Sequence, residues 1–368
     1  MLKYLFIPSF ILLSFIYPEE MPTDSFKRGY PITDSSFIGA YNASSKIEVK
    51  NGWGFYTNIS FIYWQTLAHD LYYATRNNAC DRHSDLNSAY DPVKQFADLK
   101  FNYKPGFKVG IGMNTTKDDW YTYLQYTWLH SQASRIAVNP EKVITTLYED
   151  VDPEYPANNS LNRASCHQKN KLNIFDWILA RSFYVGKKMT CDLLVGPKGF
   201  IIHSKDKIYT YPASASPFYR SFNNTNHSWG LGAKIGCNLN FMLGKGVRFF
   251  GSGALNLAYE RTKLFFFAHD IPQASFTELF NYKDKKNAFV NITELSMGFG
   301  YGTLLWQERC YFDVSAAYEF QLWTNQFSHL AYANLQSNII NPYTVPGHPY
   351  HPSNLMMHGL TLSLRCDY

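Results

Sequence analysis

The residues of this chain that could do chemistry fall at every second position of apolar runs. Lys104 and Lys108 are spaced by Pro105 and Phe107, Lys234 lies between Ala233 and Ile235, and Arg248 between Val247 and Phe249. Glu294, Arg309, Asp313, Glu319 and Arg365 have the same kind of neighbours. On a strand, each of these side chains points opposite to the greasy ones beside it. Charges of both signs would then share one interior, where each must keep water or find a partner. Water would make them pore-lining groups, and pairing would make a closed scaffold. The residues leave both readings open. A slight excess of Lys and Arg hints at anion preference if there is a channel.

Hydrolytic chemistry is the rival from another class. His69, His130, His203, His227, His348 and His351 lie in or beside connecting segments that also carry Asp70, Asp81, Asp85 and Asp270. A hydrolase needs a nucleophile or activated water within reach of a base. No GxSxG, HExxH or P-loop pattern occurs, so these read as ordinary loop histidines and the chain as a non-enzyme. No Gly-rich strand-to-helix crossover and no periodic Cys or His cluster implies a cofactor or metal. Of the six cysteines, Cys80 and Cys166 both fall in long connections and are the candidate disulfide; Cys237, Cys310 and Cys366 lie on apolar rows.

The elements that position these groups are strands. In 100–114 the odd positions hold Phe101, Tyr103, Phe107, Val109, Ile111 and Met113, while the even ones hold Lys, Asn and Gly. A helix would smear that pattern around its axis. The same alternation recurs at 229–241, 309–321 and 360–368, and more weakly at 53–65, 120–130, 247–259 and 291–302. Residues 172–185 and 189–202 also read as strands. Their faces are ambiguous, because Asp176 interrupts one row and Arg181 the other. That makes ten long strands. Further candidates at 135–138, 143–147, 207–211, 264–268 and 330–340 would raise the count to between 12 and 16.

Strand length separates two classes of all-β protein. Soluble sandwich strands centre on about 5–6 residues, whereas a membrane-spanning strand needs roughly 9–11. The apolar rows often end in aromatics, such as Trp120 and Trp128, or Trp229 and Phe241. Interfacial girdles do this in outer-membrane barrels. Connections alternate long and short, with short links at 115–119, 186–188, 244–246 and 304–308. The expected fold is therefore an all-β, transmembrane antiparallel barrel of the bacterial outer membrane, with long outer loops and short periplasmic turns. A secreted soluble β protein with an aromatic core is the competing reading, and it fits the strand lengths poorly. With 17% aromatic and 17% charged residues, the chain is neither disordered nor a coiled coil. Its formal charge of +5 is spread along the sequence and suggests no nucleic acid. Residues 1–18 read as a signal peptide, 19–50 as a polar periplasmic tail, and 51–368 as one barrel domain.

Several phrases resemble the chlamydial-type major outer membrane proteins, a broad group that includes pore-forming proteins of Legionella. They are Pro105-Gly106-Phe107 with Val109, Gly110 and Gly112, then Asp118–Asp119, Trp120 and Tyr126-Thr127-Trp128; residues 181–199; 316–323; and the closing HGLTLSLRCDY. Pro197-Lys198 departs from the family pattern, which tends to carry an Arg after the glycine there. The resemblance implies an abundant porin for small hydrophilic solutes or ions, often trimeric and sometimes disulfide cross-linked. The expected partners are outer-membrane lipid, such solutes and a homotrimer. Long outer loops add a host or surface ligand, as in an adhesin.

Overall fold

Period-two alternation sets strands, and the strands prove longer than the alternation. The computed structural model describes residues 49, 52–68, 72–78, 95–115, 120–138, 142–145, 161–212, 219–271, 277–330 and 350–368. The segments expected as a leader and, apart from residue 49, as a polar tail lie outside them. There are thirteen described strands: β1 (Phe55–Ala68), β2 (Tyr72–Asn78), β3 (Gln95–Asp98), β4 (Lys104–Asn114), β5 (Trp120–Val138), β6 (Lys142–Thr145), β7 (Leu161–Tyr184), β8 (Met189–Pro212), β9 (Tyr219–Gly244), β10 (Val247–Ile271), β11 (Thr277–Leu305), β12 (Cys310–Leu330) and β13 (Tyr350–Asp367).

Ten of these form a closed antiparallel meander, in the order β1-β4-β5-β7-β8-β9-β10-β11-β12-β13. The last strand returns to the first, with Tyr56 opposite Asp367 and Ala68 opposite Leu355. Closure leaves no edge of unpaired backbone groups in lipid, where each would cost several kcal/mol. Strands β2, β3 and β6 form a small side sheet that joins β7 where Ile144 meets Leu161. At the opposite end of the barrel, Lys245 and Gly246 turn β9 into β10 with φ of 52° and 81°. A two-residue hairpin of this hand matches the twist of its strands.

The count is thus the lower of the expected values. The candidate strands at 135–138, 207–211 and 264–268 are extensions of β5, β8 and β10, not separate staves. Residues 142–145 stand in the side sheet, and most of 330–340 falls outside the described residues. Cys166 also needs correcting. It is not a loop residue but lies in β7 opposite Ile208, with a buried, free thiol. Beyond the lipid-facing band the contrast between the two faces weakens, with Leu264, Phe265, Phe266 and Phe267 filling both rows of β10, so the alternation fades from the sequence. Cys80 lies outside the described residues.

The greasy rows face outward. Ile235 is 65% exposed, Leu257 60% and Met297 62%, while Lys234 and Asn256 beside them are buried. A soluble protein rarely exposes a contiguous apolar patch beyond a few hundred Å². Here such a surface encircles the barrel, which excludes a soluble aromatic core. On β9 the row runs from Trp229 to Phe241, an apolar belt about 25–30 Å tall at the usual strand tilt.

Candidate functional site in the barrel lumen

Inward rows decide what the lumen can do, and they change character with height. Near the level of the upper aromatics, eight of the ten staves send apolar side chains inward. Trp64, Leu129, Leu172, Phe200, Ile202, Ala258, Val290, Ile292, Trp323 and Met357 belong to one fully buried cluster. Phe200 and Trp323 meet edge to face across the lumen, with centroids 4.9 Å apart. Glycine makes room for this: a side chain on Gly230 would run into the Phe200 ring. The two indoles satisfy their N–H groups locally, Trp64 Nε1 donating to Thr361 Oγ1 at 3.1 Å and Trp323 Nε1 to Gln321 Oε1 at 3.2 Å.

Charges pair beneath this layer. Lys198 Nζ lies 3.0 Å from Asp176 Oδ1 and 2.6 Å from Glu294 Oε1, and Lys234 Nζ lies 3.2 Å from Asp176 Oδ1 and 2.6 Å from Glu294 Oε2. The four residues come from β7, β8, β9 and β11 and form an alternating ring of two ammoniums and two carboxylates. Asn256 of β10 donates to Glu294 Oε1 at 3.2 Å and fills the gap between staves. Lys108 meets Glu319 at 2.6 Å, and its ammonium sits 4.7 Å from the centre of the Trp64 ring. Lys198 stands in the same way under Trp323, at 5.9 Å. The tryptophans thus rest on the cations of the polar layer, a contact favoured where water is thin.

Lower still, Arg248 grips Asp313 with both guanidinium N–H groups, and Arg365 donates to both oxygens of Asp367 at 2.7 and 2.6 Å. Arg365 also stacks 4.0 Å from the Tyr56 ring. The Tyr121 hydroxyl donates to Asp192 at 3.4 Å. Around these pairs lies a polar cavity of about 340 Å³, lined by residues that include Asn58, Asp192, Asn238, Arg248, Asp313 and Arg365. It reaches Asn114 and Asn240, close to the short turns. A second cavity, about 230 Å³, surrounds the four-charge ring.

Seven of the nine candidate pore residues therefore stand in ion pairs inside the lumen: Lys108, Lys234, Arg248, Glu294, Asp313, Glu319 and Arg365. Lys104 occupies the same inward row of β4 near its outer end and makes no ion pair among the described residues. Arg309 does not line the lumen. It is an exposed residue of the turn at 306–309, one position before β12 begins. Sequence reasoning missed Asp176 and Lys198 as lumen groups, although they face each other directly across β7 and β8. The signal for Asp176 was the ambiguity itself, a charge inside an apolar run, and the same signal at Lys198, inside the run 193–202, was there to be read. The expected excess of cations is also absent. Five cations below the apolar layer (Lys108, Lys198, Lys234, Arg248, Arg365) face six carboxylates (Asp176, Asp192, Glu294, Asp313, Glu319, Asp367).

A ten-stranded antiparallel cylinder with a greasy exterior and a charged interior is an outer-membrane barrel. The chain belongs to the family described as Legionella pneumophila major outer membrane protein precursor, whose model matches residues 48–367. No curated protein matches it. Among solved structures, the outer membrane protease OmpT from Escherichia coli matches 88% of this chain and 99% of its own, at 8% identity and a TM-score of 0.41. The Pseudomonas putida toluene transporter TodX covers 87% and 91%, at 6% identity and a TM-score of 0.23. A Pseudomonas aeruginosa FadL homologue covers 85% and 89%, at 7% identity and a TM-score of 0.25.

Proposed function

We propose that this protein is a structural surface barrel of the outer membrane, with a lumen closed in its resting state. The observation carrying this reading is the apolar layer of Trp64, Phe200 and Trp323 seated on the paired charges of Lys108 and Lys198. A hydrated solute crossing it would have to displace fully buried side chains and part the ion pairs beneath them. Barrels with few strands are usually filled by side chains in this way. The outer strand extensions and loops are then the working surface, and the place for any host or surface ligand.

A porin for small hydrophilic solutes is the second reading. The two polar cavities below the layer favour it, because they form a half-channel on the periplasmic side. In that reading the apolar layer is a gate. Kinship with chlamydial proteins and trimeric assembly go with the porin reading; SDS-resistant trimers on unheated gels are the check on assembly. The hydrolase reading gains nothing from His130, His167, His203 and His227, which stand on outward rows, turned away from the inward carboxylates.

Planar-bilayer recording separates the two. The closed barrel predicts no steady conductance from wild type and stepwise currents from the Trp64→Ala/Phe200→Ala/Trp323→Ala variant. Steady steps from wild type would replace it with the porin.

A further inference from the structure

Above the upper aromatics the outward rows change from greasy to cationic on one side of the barrel. His130, Lys171, His203, His227, Lys263 and Lys285 are direct cross-strand neighbours, in that order, across β5, β7, β8, β9, β10 and β11. On β5, β8 and β9 each stands two residues beyond an apolar or aromatic one: Trp128, Ile201 and Trp229. At the usual tilt that is about 5 Å above the aromatic level, the depth of lipid headgroups.

The charge is one-sided in sign as well as in place. Within three outward positions of the aromatic level, β7, β8, β10 and β11 carry two Lys or Arg each and no Asp or Glu. The outward rows of β1, β12 and β13 at that height offer Gln65, Leu67, Thr324, Met356 and His358 instead. Like charges directly opposite each other destabilise a sheet. Yet Lys169 faces Lys205, and Lys263 faces Lys285, with no carboxylate in ion-pair reach among the described residues. The His203 and His227 rings abut between these pairs. Burial first, and then the charges of His203, Lys205 and Lys263, push the His227 pKa below the ordinary histidine value. Such a surface is incomplete without an anion.

We propose that this row is a docking surface for phosphate groups on the headgroups of outer-leaflet lipid. Its depth chooses a lipid over a free anion: the greasy band below holds acyl chains while the row meets the phosphates. The spread across six strands suits a headgroup carrying more than one phosphate.

The test uses the full chain refolded in detergent and native mass spectrometry with three probes: diphosphorylated lipid A, phosphatidylcholine and inorganic phosphate. The expected result is retention of lipid A by wild type, at least about tenfold weaker retention by the Lys169→Gln/Lys205→Gln/Lys263→Gln/Lys285→Gln variant, and no comparable retention of the other probes. These side chains are exposed, and heat-modifiable gel mobility verifies that the variant is a folded barrel. A second variant, Lys187→Gln/Lys188→Gln at the opposite end, is expected to bind as wild type does. Equal lipid A retention by wild type and the four-lysine variant would overturn the proposal. So would equal loss in the second variant, retention of phosphatidylcholine as strong as that of lipid A, or binding of inorganic phosphate alone.

Discussion

The same strands solve two different problems along their length. Inside the lipid-facing band, β9 points Leu231, Ile235 and Leu239 outward and Lys234, Asn238 and Asn240 inward. A few residues further out it points Thr225 and His227 outward while Asn226 and Ser228 stay buried. The backbone is continuous, but the solvent on the outer side changes from hydrocarbon to water and headgroups. In the band the polar groups are forced together in the lumen, where they pair. Above it they can face either way, and the outward row becomes cationic.

The largest break in this comparison should come from the four-charge ring. Lys234→Met leaves Asp176 and Glu294 with Lys198 as their one remaining ammonium. Removing one partner of a buried ionic cluster costs about 3–5 kcal/mol. Urea titration of the barrel folded into vesicles is the measurement, and adding Glu294→Gln should recover part of the loss. A loss below 1 kcal/mol would mean water, not pairing, holds these charges. Next is the lipid face. Ile235 lies at the middle of its row, so Ile235→Arg should cost about 2–4 kcal/mol in the same assay. The outward-facing His227→Arg, above the band and opposite Lys263, should cost no more than about 1 kcal/mol. Equal costs would erase the boundary between the two regions.

A smaller effect is expected inside the apolar layer. Gly230→Leu drives a side chain into Phe200, and overpacking of this kind costs about 1–3 kcal/mol. The Phe200→Ala background should absorb the new side chain. A separate effect, read in pH dependence and not in a single substitution cost, belongs to Asp206, which faces inward five residues beyond Ile201 and outside the band. Burial pushes its pKa up to about 7. An unfolded Asp ionises near pH 4, so between about pH 4 and 7 the folded state holds more protons and stability falls as pH rises. Asp206→Asn should flatten that slope. A wild-type profile that Asp206→Asn leaves unchanged over the same window would contradict the burial.

Much of the band was legible in the sequence, because lipid on one face and water or charge on the other writes a period of two into the residues. The strands at 104–114, 229–241, 311–321 and 360–368 follow it with both faces as expected, whereas Phe101, placed on the same greasy row by the sequence, precedes β4 and is buried. Legibility failed where the contrast failed. On β7 and β8 the lumen is itself apolar, with Leu172, Ile174, Phe200 and Ile202 facing inward, so both rows read as greasy, Asp176 looked like an interruption and Lys198 was passed over as a lumen group. Beyond the band the two rows no longer contrast, as in Leu264–Ala268 of β10, and the extensions of β5, β8 and β10 were legible only as separate short candidates. The cross-strand row from His130 to Lys285 was beyond sequence reasoning, since it exists only through the register of six strands. Arg309 shows the converse error: alternation continues into the turn on paper, while the chain has already left the ladder.

Closure of the lumen is the claim on which the functional reading stands. The direct measurement is sided labelling of Ser252→Cys, which lies below the apolar layer and lines both cavities, in a background without native cysteines and in oriented proteoliposomes. The account predicts reaction with a charged methanethiosulfonate reagent added on the periplasmic side and none with reagent added outside. Equal reaction from both sides would contradict it.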